Sequence, residues 1–361
     1  MSGPGPGARP ERIPPTAVVG GPAWPLLDPA GRIRSPLRVV DLDGAASGAA
    51  VEEAVRAARA SDGVVVGVCT NDLLHPSLQP LVEALDLTVV PTLAGLDRRE
   101  LVPAADPEAA AVALAAAVAA SPQAATVLAG LLRWSGSIGV REGLDAESLA
   151  YSALLGGPEF RGWLAARGPR PLPPPAAGDP VSLERTGGDL HVTLNRPERR
   201  NAYGREVRDA LVAALHLAEL DPTVDRVLLD GAGPSFCSGG DLDEFGTTPD
   251  LVTAHFVRTR AGAALPLSRL AGKVEARLHG ACVGAGIELP AFVHRVVAAP
   301  ATGFRLPEVG MGLIPGAGGT VSIPRRIGRW RTLWLALTGD QLDAPTALAW
   351  GLVDAIEPWD Q

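Results

Sequence analysis

Six of the thirteen residues from 168 to 180, Gly-Pro-Arg-Pro-Leu-Pro-Pro-Pro-Ala-Ala-Gly-Asp-Pro, are proline. Proline fixes φ, removes a backbone donor and restricts the residue before it, so neither a helix nor a central strand can cross this stretch. An extended linker is expected there. It falls near the middle of a chain of 361 residues, a length at which a single core usually gives way to two. The sequence is therefore read as two α/β halves joined by a proline-rich linker at 168–180.

Before the linker, short β-branched runs alternate with helical ones: a strand at 37–42, a helix at 51–60, a strand at 63–68, a helix at 78–85 and a strand at 87–91. A β-α-β-α-β order implies parallel strands joined by right-handed crossovers, so residues 38–92 read as a small α/β unit of their own. Asp106-Pro107-Glu108 and Ser121-Pro122 each put a capping side chain before a proline at the first helical position. Two or three helices are expected from there to about Trp163. Residues 1–36 read as a disordered leader, and 37–167 as an α/β and helical domain whose role is not legible. The leader lacks the apolar core of a secretory signal.

Beyond the linker, residues 181–185 and 190–194 alternate around Gly187-Gly188 as a hairpin does. A helix from about 204 to 220 follows, then strands at 224–229, 274–278 and 295–299. Charged residues are 20% of the chain and the formal net charge is −8, with no basic stripe interleaved with aromatics to track a phosphate backbone, so nucleic acid is not an expected partner. The apolar run 109–120 is too short for a bilayer span of about 20 residues. A cytoplasmic location with no membrane partner is expected. Cys69, Cys237 and Cys282 lack metal-ligand spacing and read as small buried hydrophobes, so no metal is expected.

Three glycine-rich segments carry the chemistry. Ser235-Phe-Cys-Ser-Gly-Gly-Asp-Leu242 follows a strand and is expected to open a helix near Asp241. In His279-Gly-Ala-Cys-Val-Gly-Ala-Gly-Ile-Glu288, the Gly284-Ala285-Gly286 turn opens a second helix, which carries Glu288. Free amides at two helix starts can converge on one oxygen and form an oxyanion hole, worth about 3–4 kcal/mol per donor. The third segment, Leu306-Pro-Glu308-Val-Gly-Met-Gly-Leu-Ile-Pro-Gly-Ala-Gly-Gly-Thr320, supplies a second acid. It is not a nucleotide loop, because the Walker lysine is absent.

With Asn195-Arg-Pro-Glu-Arg-Arg-Asn-Ala202, Leu337-Thr-Gly-Asp-Gln341 and Ala349-Trp-Gly-Leu-Val-Asp354, these motifs stand in an order that resembles the enoyl-CoA hydratase/isomerase (crotonase) family over roughly half the chain. The resemblance implies a crotonase-like ββα spiral domain at 181–361, preceded by a smaller α/β plus helical domain. It implies an oxyanion hole from the amides of Gly240 and Ala285, with Glu288 as water-orienting base and Glu308 as proton donor to the α-carbon. Substrate contacts are implied at Asn195, Arg196, Arg199, Ala202, Ser238, Gly239, Asp241, Gly284, Pro315 and Gly316.

The expected activity is hydration of an α,β-unsaturated acyl-CoA thioester, as in fatty acid metabolism, with coenzyme A entering as part of the substrate and no separate cofactor. An enoyl-CoA isomerase, a thioester hydrolase and a non-catalytic acyl-CoA-binding or assembly subunit are the alternatives. Family members form trimers or hexamers and carry further helices after the Gly-Leu-Val segment, helices that cover the acyl pocket. Those helices are not in this sequence, so either the amino-terminal half covers the pocket or the site stays open. His294, beyond the helix of Glu288, is expected to be structural.

Overall fold

The computed structural model describes residues 9–18, 24–92 and 98–358. Its first sheet has five parallel strands in chain order: β1 (Arg12–Ile13), β2 (Leu37–Asp41), β3 (Val64–Val68), β4 (Leu87–Pro91) and β5 (Leu101–Ala104). All five residues of β3, Val-Val-Val-Gly-Val, are buried, as a parallel strand covered on both faces requires. Alternation sends Val65 to one face with Val40 and Val90, where helices α1 (Gly48–Arg59) and α2 (Gln79–Ala84) close a small core. Val64, Val66 and Val68 point the other way, into a much larger core.

That larger core runs across the expected division of the chain. Val39, Val66, Val89 and Val102 share it with helices α3 (Pro107–Ala120), α4 (Pro122–Trp134), α5 (Val140–Leu155) and α6 (Pro158–Arg167), and with the carboxy-terminal half as far as Val353. Residues 37–167 thus share a continuous core with the carboxy-terminal half. The sheet also runs past 38–92 on both sides, through β5 and β1. Residues 1–8 and 19–23 of the expected leader lie outside the described residues. Within the rest of it, Arg12 and Ile13 pair in parallel with β2, and the Arg12 guanidinium bonds Asp41, Asp43 and Glu108. The leader expectation is corrected there, because one half-buried ion cluster anchors a strand too short to show a period.

After residues 168–180, which form no helix or strand, come the antiparallel hairpin β6 (Val181–Thr186) and β7 (Asp189–Leu194), turning at Gly187 with φ +60°. Helix α7 (Arg205–Leu220) leads to β8 (Arg226–Gly231), then α8 (Leu251–Arg260), α9 (Ala264–Arg269), β9 (Val274–Leu278), β10 (Ala281–Val283) and the four-residue α10 (Ala285–Glu288). The chain continues through β11 (Arg295–Ala298), β12 (Gly303–Arg305), α11 (Gly319–Thr338), β13 (Leu342–Asp343), α12 (Ala344–Trp350) and β14 (Ala355–Ile356). One sheet is ordered β14-β11-β9-β8-β7-β6 and a smaller one β10-β12-β13. In β9 the residues Val274, Ala276 and Leu278 are buried, while Glu275 and Arg277 face outward, and Glu275 pairs with Arg277, Arg226 and Arg295. The charges that interrupt this strand therefore lie on its solvent side.

Helix α11 joins the halves. It bends at Gly328, whose φ of +82° suits glycine, and it packs on α3, α4, β4 and β5. Trp330 Nε1 donates to the Leu85 carbonyl at 3.0 Å, and Arg331 to the Arg98 carbonyl at 2.9 Å. The linker is anchored as well: Arg196 Nη2 donates to the Pro174 carbonyl at 2.9 Å and Ala176 N to Glu206 at 2.9 Å. Among the described residues no single helix is long and apolar enough to cross a membrane.

Candidate active site

Between α5, α8 and the glycine-rich segments lies a cavity of about 390 Å³, whose polar lining includes Glu147, Tyr151, Arg258, Glu288 and Glu308. Its floor is set by two turns running side by side. Cys237 and Cys282 form a parallel bridge, and Val283 N donates to the Cys237 carbonyl at 3.1 Å. A Cβ at Gly286 would overlap that carbonyl, so the approach needs a glycine. Gly240 and Ala285 both line the cavity, and among the described residues neither amide meets an acceptor. Ala285 begins α10, where an amide has no intrahelical partner.

The helix expected at Asp241 is instead a single 3₁₀ turn, Leu242–Glu244, capped by Asp241. A macrodipole grows with the number of aligned peptides, so this turn and the four-residue α10 contribute free amides rather than substantial helix dipoles.

Three acids meet beside these amides. Glu288 Oε2 accepts from Ala317 N at 2.7 Å and Gly319 N at 2.9 Å. Glu147, from α5, accepts from Gly318 N at 2.8 Å, Thr320 N at 2.9 Å and Thr320 Oγ1 at 2.7 Å. Consecutive amides of one turn thus go alternately to two carboxylates. Glu308 Oε2 is buried and has no partner among the described residues. A Cβ at Gly284 would stand 2.5 Å from Glu308 Oε1 and 3.6 Å from Glu288 Oε1, so the two acids flank the same glycine.

Burial pushes Glu147 and Glu308 up to about 7, in each case against hydrogen bonds that favour the carboxylate; the charge of Glu147 adds to the rise at Glu308. Glu288 is raised well above the carboxylate range by burial and by the charges of Glu308 and Glu147, against its two amide donors. Groups whose folded pKa exceeds the unfolded value hold more protons when folded. Their stabilisation is complete below the unfolded carboxylate pKa and is lost as pH rises through about 7. The urea midpoint is therefore expected to fall between pH 5 and pH 8, and to fall less in Glu308→Gln; equal slopes in the two proteins would contradict this origin.

Glycines of the third segment admit the amino-terminal helices. A Cβ at Gly316 would overlap the Tyr151 ring, and one at Gly312 would come within 2.6 Å of Glu159 Cβ. Arg258 Nε donates to Ser148 Oγ at 3.1 Å, and its guanidinium lies 4.6 Å over the Tyr151 ring. Sequence reasoning missed Glu147, Tyr151 and Arg258. Its available signal was the set Gly143, Glu147, Ser148 and Ser152, a small and polar face along α5 that is buried.

Residues 184–361 match the family described as Enoyl-CoA hydratase/isomerase. The chain is 38% identical over 171 residues to 1,2-epoxyphenylacetyl-CoA isomerase of Escherichia coli (strain K12), covering 46% of this chain and 65% of that protein. It is 34% identical over 189 residues to an enoyl-CoA isomerase/hydratase of Mycosarcoma maydis, covering 50% and 69% respectively. This chain belongs to the enoyl-CoA hydratase/isomerase family. A mevalonyl-coenzyme A hydratase of Beauveria bassiana (strain ARSEF 2860) is 36% identical over 180 residues, covering 47% of this chain and 63% of that protein. The chain spans about two thirds of the length of these relatives.

In this member of the enoyl-CoA hydratase/isomerase family, α5 lies outside the matched residues yet walls the cavity. Of the expected site residues, Gly240, Asp241, Ala285, Glu288, Glu308 and Gly316 line it. Gly239, Gly284 and Pro315 sit behind these in the same turns, and Ser238 N donates to the Arg200 carbonyl at 3.0 Å.

Two arginines are engaged within the fold. Arg196 is 6% exposed and bonds Glu198, Glu206 and the linker, while Arg199 holds Asp241 at 2.6 Å and Asp243 at 2.9 Å. Both guanidiniums clamp loops instead of facing the cavity. Asn195 reaches the Asp179 carbonyl, and Ala202 lies one residue before Tyr203, which lines the cavity. His294 is exposed on the connection into β11.

Proposed function

We propose that this protein is an enoyl-CoA hydratase-type lyase that adds water to an α,β-unsaturated acyl-CoA thioester. The observation that carries the reading is the convergence of Glu288 and Glu308 on the space over Gly284, in the cavity that the free amides of Gly240 and Ala285 line. The thioester carbonyl accepts from those amides. Conjugate addition moves negative charge onto that oxygen, and each preorganised donor there is worth about 10²–10³ in rate.

Glu288, one oxygen pinned by two amides, orients water with the other and takes its proton as oxygen bonds to the β-carbon. Glu308, with no partner on Oε2, gives its proton to the α-carbon. One proton enters the acid pair and one leaves it, so a transfer from Glu288 back to Glu308 resets the site. Two neighbouring buried carboxyls do not readily ionise together, which favours a state with one charge and one proton; the addition runs from the form of it in which Glu288 carries the charge. Coenzyme A enters only as part of the substrate. Leu144, Leu155, Phe245, Ala254 and Val257 give the cavity an apolar side suited to an acyl chain.

The test is loss of the conjugated-thioester absorbance with crotonyl-CoA and with a longer enoyl-CoA, the products being identified by mass. A product heavier by one water is expected. Double-bond migration without hydration would replace the reading with an isomerase, which needs one carboxylate to shuttle a proton. Release of free thiol would replace it with a hydrolase, and tight ester binding without turnover with a non-catalytic subunit.

A further inference from the structure

Glu147 is 2% exposed and reaches the turn before and into α11 from 171 residues away. Burying a carboxylate is costly unless donors compensate, and here three donors do. Those donors interleave with the two that Glu288 uses, so the turn at 317–320 is clamped from both sides and neither carboxylate can shift without pulling the amides of the other. We propose that Glu147 is a positioning residue of the active site, which acts through the shared turn to fix the Glu288 carboxyl and through its charge on the Glu288 and Glu308 pair.

The groups facing Glu147 are Glu288 of α10, Glu308 ahead of α11, Arg258 of α8, Tyr151 on its own helix and the Thr320 hydroxyl of α11. Charged side chains of the other helices packed on α5 are paired elsewhere: Arg133 of α4 with Asp86, Arg167 of α6 with Asp243, Arg269 of α9 with Glu219. On α8, Arg260 pairs with Asp145, and His255 Nδ1 meets Ser148 Oγ at 3.1 Å. On α11, Arg326 pairs with Asp354, and Arg325 bonds the Val321 and Ile138 carbonyls. A negative charge at Glu147 therefore acts on the two acids of the proposed reaction, whose ionisation it disfavours, and on the Arg258 guanidinium, which offsets part of it.

This inference rests on the proposed hydratase reading, and Glu147→Gln tests it in the full chain. The amide keeps the volume and one acceptor oxygen but removes the charge. kcat/KM is expected to fall about 10–100-fold through kcat, with KM little changed. Activity that needs protonated Glu308 declines at high pH. Without the Glu147 charge Glu308 ionises more easily, so the alkaline limb of kcat/KM moves about 0.5–1 unit toward lower pH.

A loss of the same size at every pH, or wild-type rates, would overturn the proposal. Should Glu147→Gln fail to fold, Thr320→Val removes one donor, weakens the carboxylate form of Glu147 and is expected to move the limb the same way; an unmoved limb overturns the proposal there too. An arm independent of turnover is ¹³C NMR titration of the glutamate carboxyls, in which the acid pair should titrate at lower pH in Glu147→Gln and an unmoved titration overturns the inference. Wild type without turnover of any CoA ester would defeat the hydratase reading instead.

Discussion

Glu308→Gln is expected to lower kcat/KM for hydration of a conjugated CoA thioester by about 10²–10⁴-fold, the usual worth of a positioned general acid. The substitution is nearly isosteric, and among the described residues there is no hydrogen bond to Oε2 to lose. KM and the thermal midpoint should therefore change little while kcat collapses. Glu288→Gln is expected to fall in the same range by another route. Its carbonyl oxygen can keep the amides of Ala317 and Gly319, but the group turned to the water no longer accepts a proton. Steady-state kinetics with melting curves on both variants check this. Retained kcat in either would remove that acid from the mechanism.

Deleting residues 1–167 is expected to abolish cooperative folding of the remainder. Leu128, Leu132, Leu154 and Phe160 of the deleted helices belong to the core that also holds Ile323, Leu333 and Leu335 of α11. Exposing the partners of side chains worth about 1.5–3 kcal/mol each quickly exceeds the 5–15 kcal/mol by which a domain is stable. The same cut removes Glu147 and Tyr151 from the cavity. Near-ultraviolet circular dichroism and urea unfolding of the deleted chain measure it. A cooperative transition at the wild-type midpoint would show the carboxy-terminal half to be independent.

Local pattern made much of the fold legible. The hairpin at Gly187, the strand Val274–Leu278 and the strand Leu87–Pro91 follow from alternation, β-branching and turn residues, which act within a few positions. So do Glu288 and Glu308, each embedded in its own glycine-rich segment. The rest depended on contacts far apart in sequence. Nothing near Glu147 announces that its carboxyl closes a turn at Gly318, and the glycines at 312 and 316 read as loop residues until the helices that need their missing side chains are in place. Arg196 and Arg199 carry charges that could suit a phosphate or a carboxylate, and folding brings Glu206, Asp241 and Asp243 to them. The continuous core was hidden for the same reason, because a proline-rich stretch interrupts secondary structure without preventing the halves from packing together.

The most direct test of an acid beside a thioester oxyanion hole is α-proton exchange of the saturated ester butyryl-CoA in D₂O, followed by NMR. The account predicts deuterium at the α-carbon with wild type and none with Glu308→Gln. Tight binding of the ester with no exchange in wild type would contradict it.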